Sequence, residues 1–111
     1  MTTERKPRPG RRGVDALPFI ERLVGVPITL GALIEAIRQG EELSQSALAA
    51  QLGISKSHLC DIEKGRKLVS PARAARFAEL LGYSSAQFVR LALQDSVDRA
   101  GLRYTVRVTA A

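Results

Sequence analysis

Two short helical segments that meet at a single glycine constrain this chain more than any other feature of it. Ser44 caps a segment Gln45–Leu52 that Gly53 stops, and Ser55 caps a second, Lys56–Lys64, that Gly65 stops. Such a pair crosses at a steep angle only under particular conditions. The first helix must be short, a small residue must let the second approach closely, and the turn must accept a left-handed backbone; Ala49 and Gly53 supply the last two. Leu48, Leu52, Leu59 and Ile62 then close a small core beneath the pair. The outer face of the second helix is left with Lys56, Ser57, Cys60, Asp61 and Lys64, which fall on one helical stripe. The stripe is polar and flanked by cations, which suits insertion into a major groove of DNA.

The rest of residues 29–100 also reads as helix, giving an all-α, five-helix domain. Thr29 is an N-cap for a stripe of Leu30, Leu33, Ile34 and Ile37 that ends around Gly40. Ser70-Pro71 opens a helix running to Leu81 before Gly82. Ser84 and Gln87 form a capping box ahead of Phe88, Leu91 and Ala92, in a helix ending near Ala100-Gly101. Residues 1–13 hold no large apolar side chain after Met1 and read as a disordered basic arm. Residues 14–28 read as an N-terminal extension with a short helix, Asp15–Val24; alternatively Val24, Val26 and Ile28 form a short strand. In residues 101–111, Leu102, Tyr104, Val106 and Val108 alternate with polar residues, which predicts a C-terminal β-strand. A lone strand needs a partner. Either a second copy of the chain pairs with it, making these four residues the dimerisation element, or Val24–Ile28 does.

Charge points to a polyanion. The 111-residue chain carries +6 at neutral pH, with a pI near 10.2, and the excess is concentrated in Met1–Arg12 and in Lys56–Arg76. No apolar run approaches the roughly 18 residues of a membrane span, and no secretory signal follows the basic N-terminus. Cys60 is the single cysteine, and no Cys/His cluster suits a metal. His58 stands beside no obvious nucleophile, and there is no Gly-rich phosphate loop. The chain reads as a non-enzymatic protein of the cell interior, cytoplasmic and nucleoid-associated, without cofactor.

Leu43–Lys67 closely resembles the helix-turn-helix of the phage repressor and Cro family, often called XRE-like. Arg38, Leu43-Ser44-Gln45, Leu48-Ala49, Leu52-Gly53-Ile54-Ser55, Leu59, Ile62-Glu63, Gly65-Arg66 and Leu80-Leu81-Gly82 carry the resemblance, which covers roughly residues 29 to 95. The loop from Gly65 to Pro71 is about a residue longer than usual in the family. The resemblance implies that Gln45 donates to a backbone phosphate, and that Ser55, Lys56 and Ser57 sit at the DNA, the last two contacting base edges. Asp61 would accept from a cytosine amino group or be held off the bases by a lysine. His58, Lys64, Arg66 and Lys67 would lie along the phosphates. Arg38 and Glu63 match a salt-bridged pair that ties the first helix to the recognition helix. The implied function is a sequence-specific, double-stranded DNA-binding transcriptional regulator, a homodimeric repressor. The alternative is an antitoxin that binds DNA through the same helices and a toxin protein through its arm or strand.

Overall fold

A computed structural model of the chain describes residues 28–111. The basic arm, the short helix Asp15–Val24 and all of the alternative strand except Ile28 lie outside the described residues; Ile28 packs against the core. The described residues form five α-helices: α1 Leu30–Gly40, α2 Gln45–Leu52, α3 Lys56–Glu63, α4 Pro71–Leu81 and α5 Ser85–Arg99.

The same local chemistry starts each helix. Thr29, Ser44, Ser55, Ser70 and Ser84 each adopt extended backbone, and the hydroxyl of each accepts from the N–H three residues on, at 3.0–3.2 Å. Each contact satisfies one of the donors that a helix start leaves unpaired. At Ser84–Gln87 one half of a capping box forms, the Gln87 N–H donating to Ser84 Oγ, while Gln87 Oε1 accepts from Arg90 Nε at 3.3 Å.

The helix ends are equally uniform. After every helix, two successive N–H groups fold back onto carbonyls of the last turn, with a left-handed residue between them. At the α2–α3 turn Gly53 donates to Ala50 and Ile54 to Ala49, at 3.2 and 3.0 Å. Gly53 has φ 73°, which an L side chain adopts only at a cost. After α1 the left-handed position falls on Glu42, with φ 58°, and not on the nearby Gly40.

Among the described residues, sixteen side chains form one buried core. Leu30, Ile34 and Ile37 of α1 meet Leu48, Ala49 and Leu52 of α2 and Leu59 and Ile62 of α3, and Phe77, Leu81, Phe88 and Leu91 fill the space against α4 and α5. Leu33, expected on the buried stripe of α1, is only partly buried. One close approach fixes how α1 sits on α3. A Cβ placed on Gly31 would overlap the Ile62 carbonyl oxygen, so glycine is required for α1 to cross the end of α3 at this distance. At the start of α1, Asp95 of α5 accepts from the Leu30 N–H at 3.0 Å. Burial, foremost, pushes the Asp95 carboxyl above the usual carboxylate range, against the lowering effect of that hydrogen bond.

The expected C-terminal strand is not formed. Residues 102–111 contain no strand, and no other strand exists among the described residues to pair with them. A side chain takes the place of a partner strand. The Gln94 amide donates from Nε2 to the Tyr104 carbonyl and accepts at Oε1 from the Val106 N–H, both at 2.8 Å. Alternating hydrophobicity reports an extended chain with two unlike faces, but not what pairs with it.

Candidate nucleic-acid interface

Helix α3 is held from beneath by an ion-pair network. Arg38 Nε donates to Glu63 Oε2 at 2.8 Å and Arg38 Nη2 to Glu63 Oε1 at 3.2 Å, while Arg38 Nη1 reaches the Leu43 carbonyl at 3.0 Å. Gln45 Nε2 completes the set, donating to Glu63 Oε1 at 2.9 Å. The Glu63 side chain is only 2% exposed and that of Arg38 14%. Burial of a charge is tolerable because each carboxylate oxygen has a donor. The hydrogen bond to Glu63 raises the Arg38 pKa. The network joins α1, the start of α2 and the end of α3 at one point, and so sets the orientation of α3.

The outer side of α3 is open. Lys56, Ser57 and Lys64 are exposed, and Cys60 and Asp61 partly so. Lys56 and Lys64 make no ion pair among the described residues. Ser55 is exposed, its hydroxyl taken by the His58 N–H at 3.0 Å. Asp61 is not held by a lysine: Arg66 Nε donates to its Oδ1 at 2.9 Å, and Arg66 Nη2 lies 3.8 Å from Cys60 Sγ. Arg66 and Lys67 stand exposed just beyond α3, their N–H groups both donating to the Asp61 carbonyl at 2.8 and 3.2 Å. The structure thus brings Lys56, Ser57, Asp61, Lys64 and Arg66 to one outward surface. Gln45 lies at its edge, half-buried, with part of its amide committed to Glu63.

One residue of this surface was not singled out from the sequence. Arg73, on α4, places Nη1 3.4 Å from His58 Nε2. Its only signal in the sequence was membership of the basic stretch, since nothing in one dimension shows that α4 begins beside α3. Leu102 and Tyr104 are 50% and 69% exposed, whereas Val106 and Val108 are half-buried. Among the described residues no group of three or more His, Cys, Asp or Glu side chains could hold a metal, and no helix is long and apolar enough to cross a membrane.

Part of the chain is similar in sequence to known proteins. The helix-turn-helix domain family matches residues 29–91. The ImmF control region 10 kDa protein of Bacillus phage phi105 is 44% identical over 52 residues, which is 47% of this chain and 58% of that protein. The chain therefore spans little more than half the length of this relative. No solved structure matches the chain. The match runs from the cap of α1 through the core of α5 and takes in the whole glycine-hinged pair, so the chain belongs to the helix-turn-helix domain family.

Proposed function

We propose that the chain is a sequence-specific, double-stranded DNA-binding transcriptional regulator that works as a two-fold dimeric repressor, with α3 as its recognition helix. The outward face of α3 carries this reading: Lys56, Ser57 and Lys64 are exposed while Leu59 and Ile62 are buried in the core and Glu63 anchors the end of the helix. Lys56 and Ser57, in the first turn of α3, reach base edges, and a lysine there suits guanine O6 and N7. Lys64, Arg66 and Lys67 follow the phosphates, which fix register and carry no sequence information. Gln45 has a second amide hydrogen for a phosphate while the first holds Glu63. Neither cofactor nor catalysis enters this reading, and the site of action is the cytoplasm.

One such domain reads too few base pairs for useful specificity, so two copies place their recognition helices about 34 Å apart on a near-palindrome. The exposed Leu102 and Tyr104 on an extended tail support pairing of two copies through residues 102–108. An antitoxin would offer the same open edge to a toxin; the tail then binds a different chain, and loss of residues 102–111 leaves the mass of the free protein unchanged. The decisive experiment selects bound fragments from random DNA, then compares wild type with Lys56→Ala. The expected loss is about 1–3 kcal/mol on the selected site with little change on random DNA. Equal loss on both would reduce Lys56 to a phosphate contact, and no selected sequence at all would overturn the reading.

A further inference from the structure

We propose that His58 and Arg73 form a binding site for a DNA backbone phosphate, and that the site takes up one proton from solvent when it fills. The proposal rests on the DNA-binding reading above and adds a residue and a linked equilibrium to it. His58 and Arg73 occupy matching places in two helices: the N–H of each is the one accepted by the capping serine, Ser55 for α3 and Ser70 for α4. The two side chains leave adjacent helix starts and meet at 3.4 Å, Nε2 to Nη1.

As a hydrogen bond, that contact has Arg73 as its donor. A guanidinium has five donors and no acceptor, so it can only donate. Nε2 can accept only in the neutral ring with its proton on Nδ1, and that is the state the contact fits. Three influences on the ring agree with this. Partial burial is the largest, and the positive charges of Arg73 on α4 and Lys67 in the α3–α4 loop add to it, so that the His58 pKa lies below its ordinary value. Asp61, on the same helix, pulls the other way, but its carboxylate is already engaged by Arg66.

A phosphate oxygen at this point inverts the arrangement. Arg73 turns its N–H from the ring to the oxygen, Nε2 gains a proton from solvent, and the imidazolium then donates to the same anion. No bond to the phosphate forms or breaks, and only one proton moves. A bound phosphate offsets the positive charges of Arg73 and Lys67 that disfavour a charged ring, and so favours the imidazolium.

The test follows the His58 ring by NMR in the full chain, free and with a short random-sequence duplex, beside duplex affinity from about pH 8 to about pH 6, across the ordinary histidine range. The ring pKa is expected to rise on binding, and affinity to tighten several-fold as the pH falls. His58→Asn abolishes this pH dependence. Arg73→Gln weakens cognate and random duplexes alike and flattens the salt dependence by about one phosphate's share. A ring pKa that stays put or falls on binding overturns the proposal, as does an unchanged pH profile in His58→Asn. A rise with inorganic phosphate but none with duplex also overturns it, by assigning the site to a free anion. Binding that is tight but independent of pH removes this inference alone, whereas no duplex binding at any pH removes the DNA-binding reading with it.

Discussion

Two arginine–carboxylate pairs stand two residues apart on α3 and do different work. Glu63 faces inward to Arg38 and Asp61 faces outward to Arg66, at nearly equal distances of 2.8 and 2.9 Å. Distance therefore says nothing about their weight. Burial does: the inner carboxylate is 2% exposed and takes a further hydrogen bond from Gln45, while Asp61 is 32% exposed and its arginine 59%. An ion pair withdrawn from water leaves a stranded charge if one partner is lost; one in water loses little. The inner pair fixes where α3 points. The outer pair occupies a cation at the surface proposed for DNA, and can exchange its carboxylate for a phosphate.

The comparison breaks most readily at Glu63. Glu63→Ala should cost about 3–5 kcal/mol of stability in urea unfolding, because Arg38 would be left buried without its counter-charge. A loss under about 1 kcal/mol would mean that the inner pair is no more structural than the outer one. Gly31→Ala tests the same end of α3 without touching charge. The added methyl meets the Ile62 carbonyl, and an overpacked contact of this kind costs about 1–3 kcal/mol by thermal or urea unfolding; an unchanged midpoint would show that α1 can slide.

Asp95 sharpens the contrast as a half-buried carboxylate that accepts a backbone N–H in place of a salt bridge. Burial raises its pKa, so its contribution to stability is present below the ordinary carboxylate range and is lost as the pH rises through the raised value. Asp95→Asn keeps an acceptor oxygen for Leu30 and removes that loss. The variant should be the more stable at neutral pH, the two proteins converging at acid pH; parallel curves would refute the assignment. The smallest effect belongs to Asp61→Asn. Its unfolding midpoint should not move measurably, while freed Arg66 should steepen the salt dependence of DNA binding. A midpoint shift comparable to that of Glu63→Ala would erase the distinction between the pairs.

Much of the fold was legible because it is written locally. The five hydroxyl caps and the glycines after α2 to α5 act within four residues of themselves, and the apolar spacing between them reports the buried faces. What escaped was non-local. The clearance at Gly31 depends on a carbonyl thirty-one residues away, and the meeting of His58 with Arg73 depends on how two helices dock. Asp61 found Arg66 instead of a lysine because the left-handed Gly65 returns the chain beside its own helix. Glu42 took the left-handed position because α1 runs through Gly40, leaving the reversal to the residues beyond it. The tail misled for a different reason, since its period of two was read as strand when the pairing groups were those of a side chain.

The Gln94 clamp has a bearing on assembly. By gripping Tyr104 and Val106 along one edge of the tail, it leaves the backbone of Arg103, Thr105 and Arg107 as the opposite edge, so an incoming strand would find its alignment already chosen. Antiparallel self-pairing centred on Thr105 would set Arg103 of one copy across from Arg107 of the other, a like-charge juxtaposition that dissolved ions relieve. Raising ionic strength would then strengthen the union of two copies while weakening their hold on a polyanion, giving the two equilibria opposite responses to the same variable.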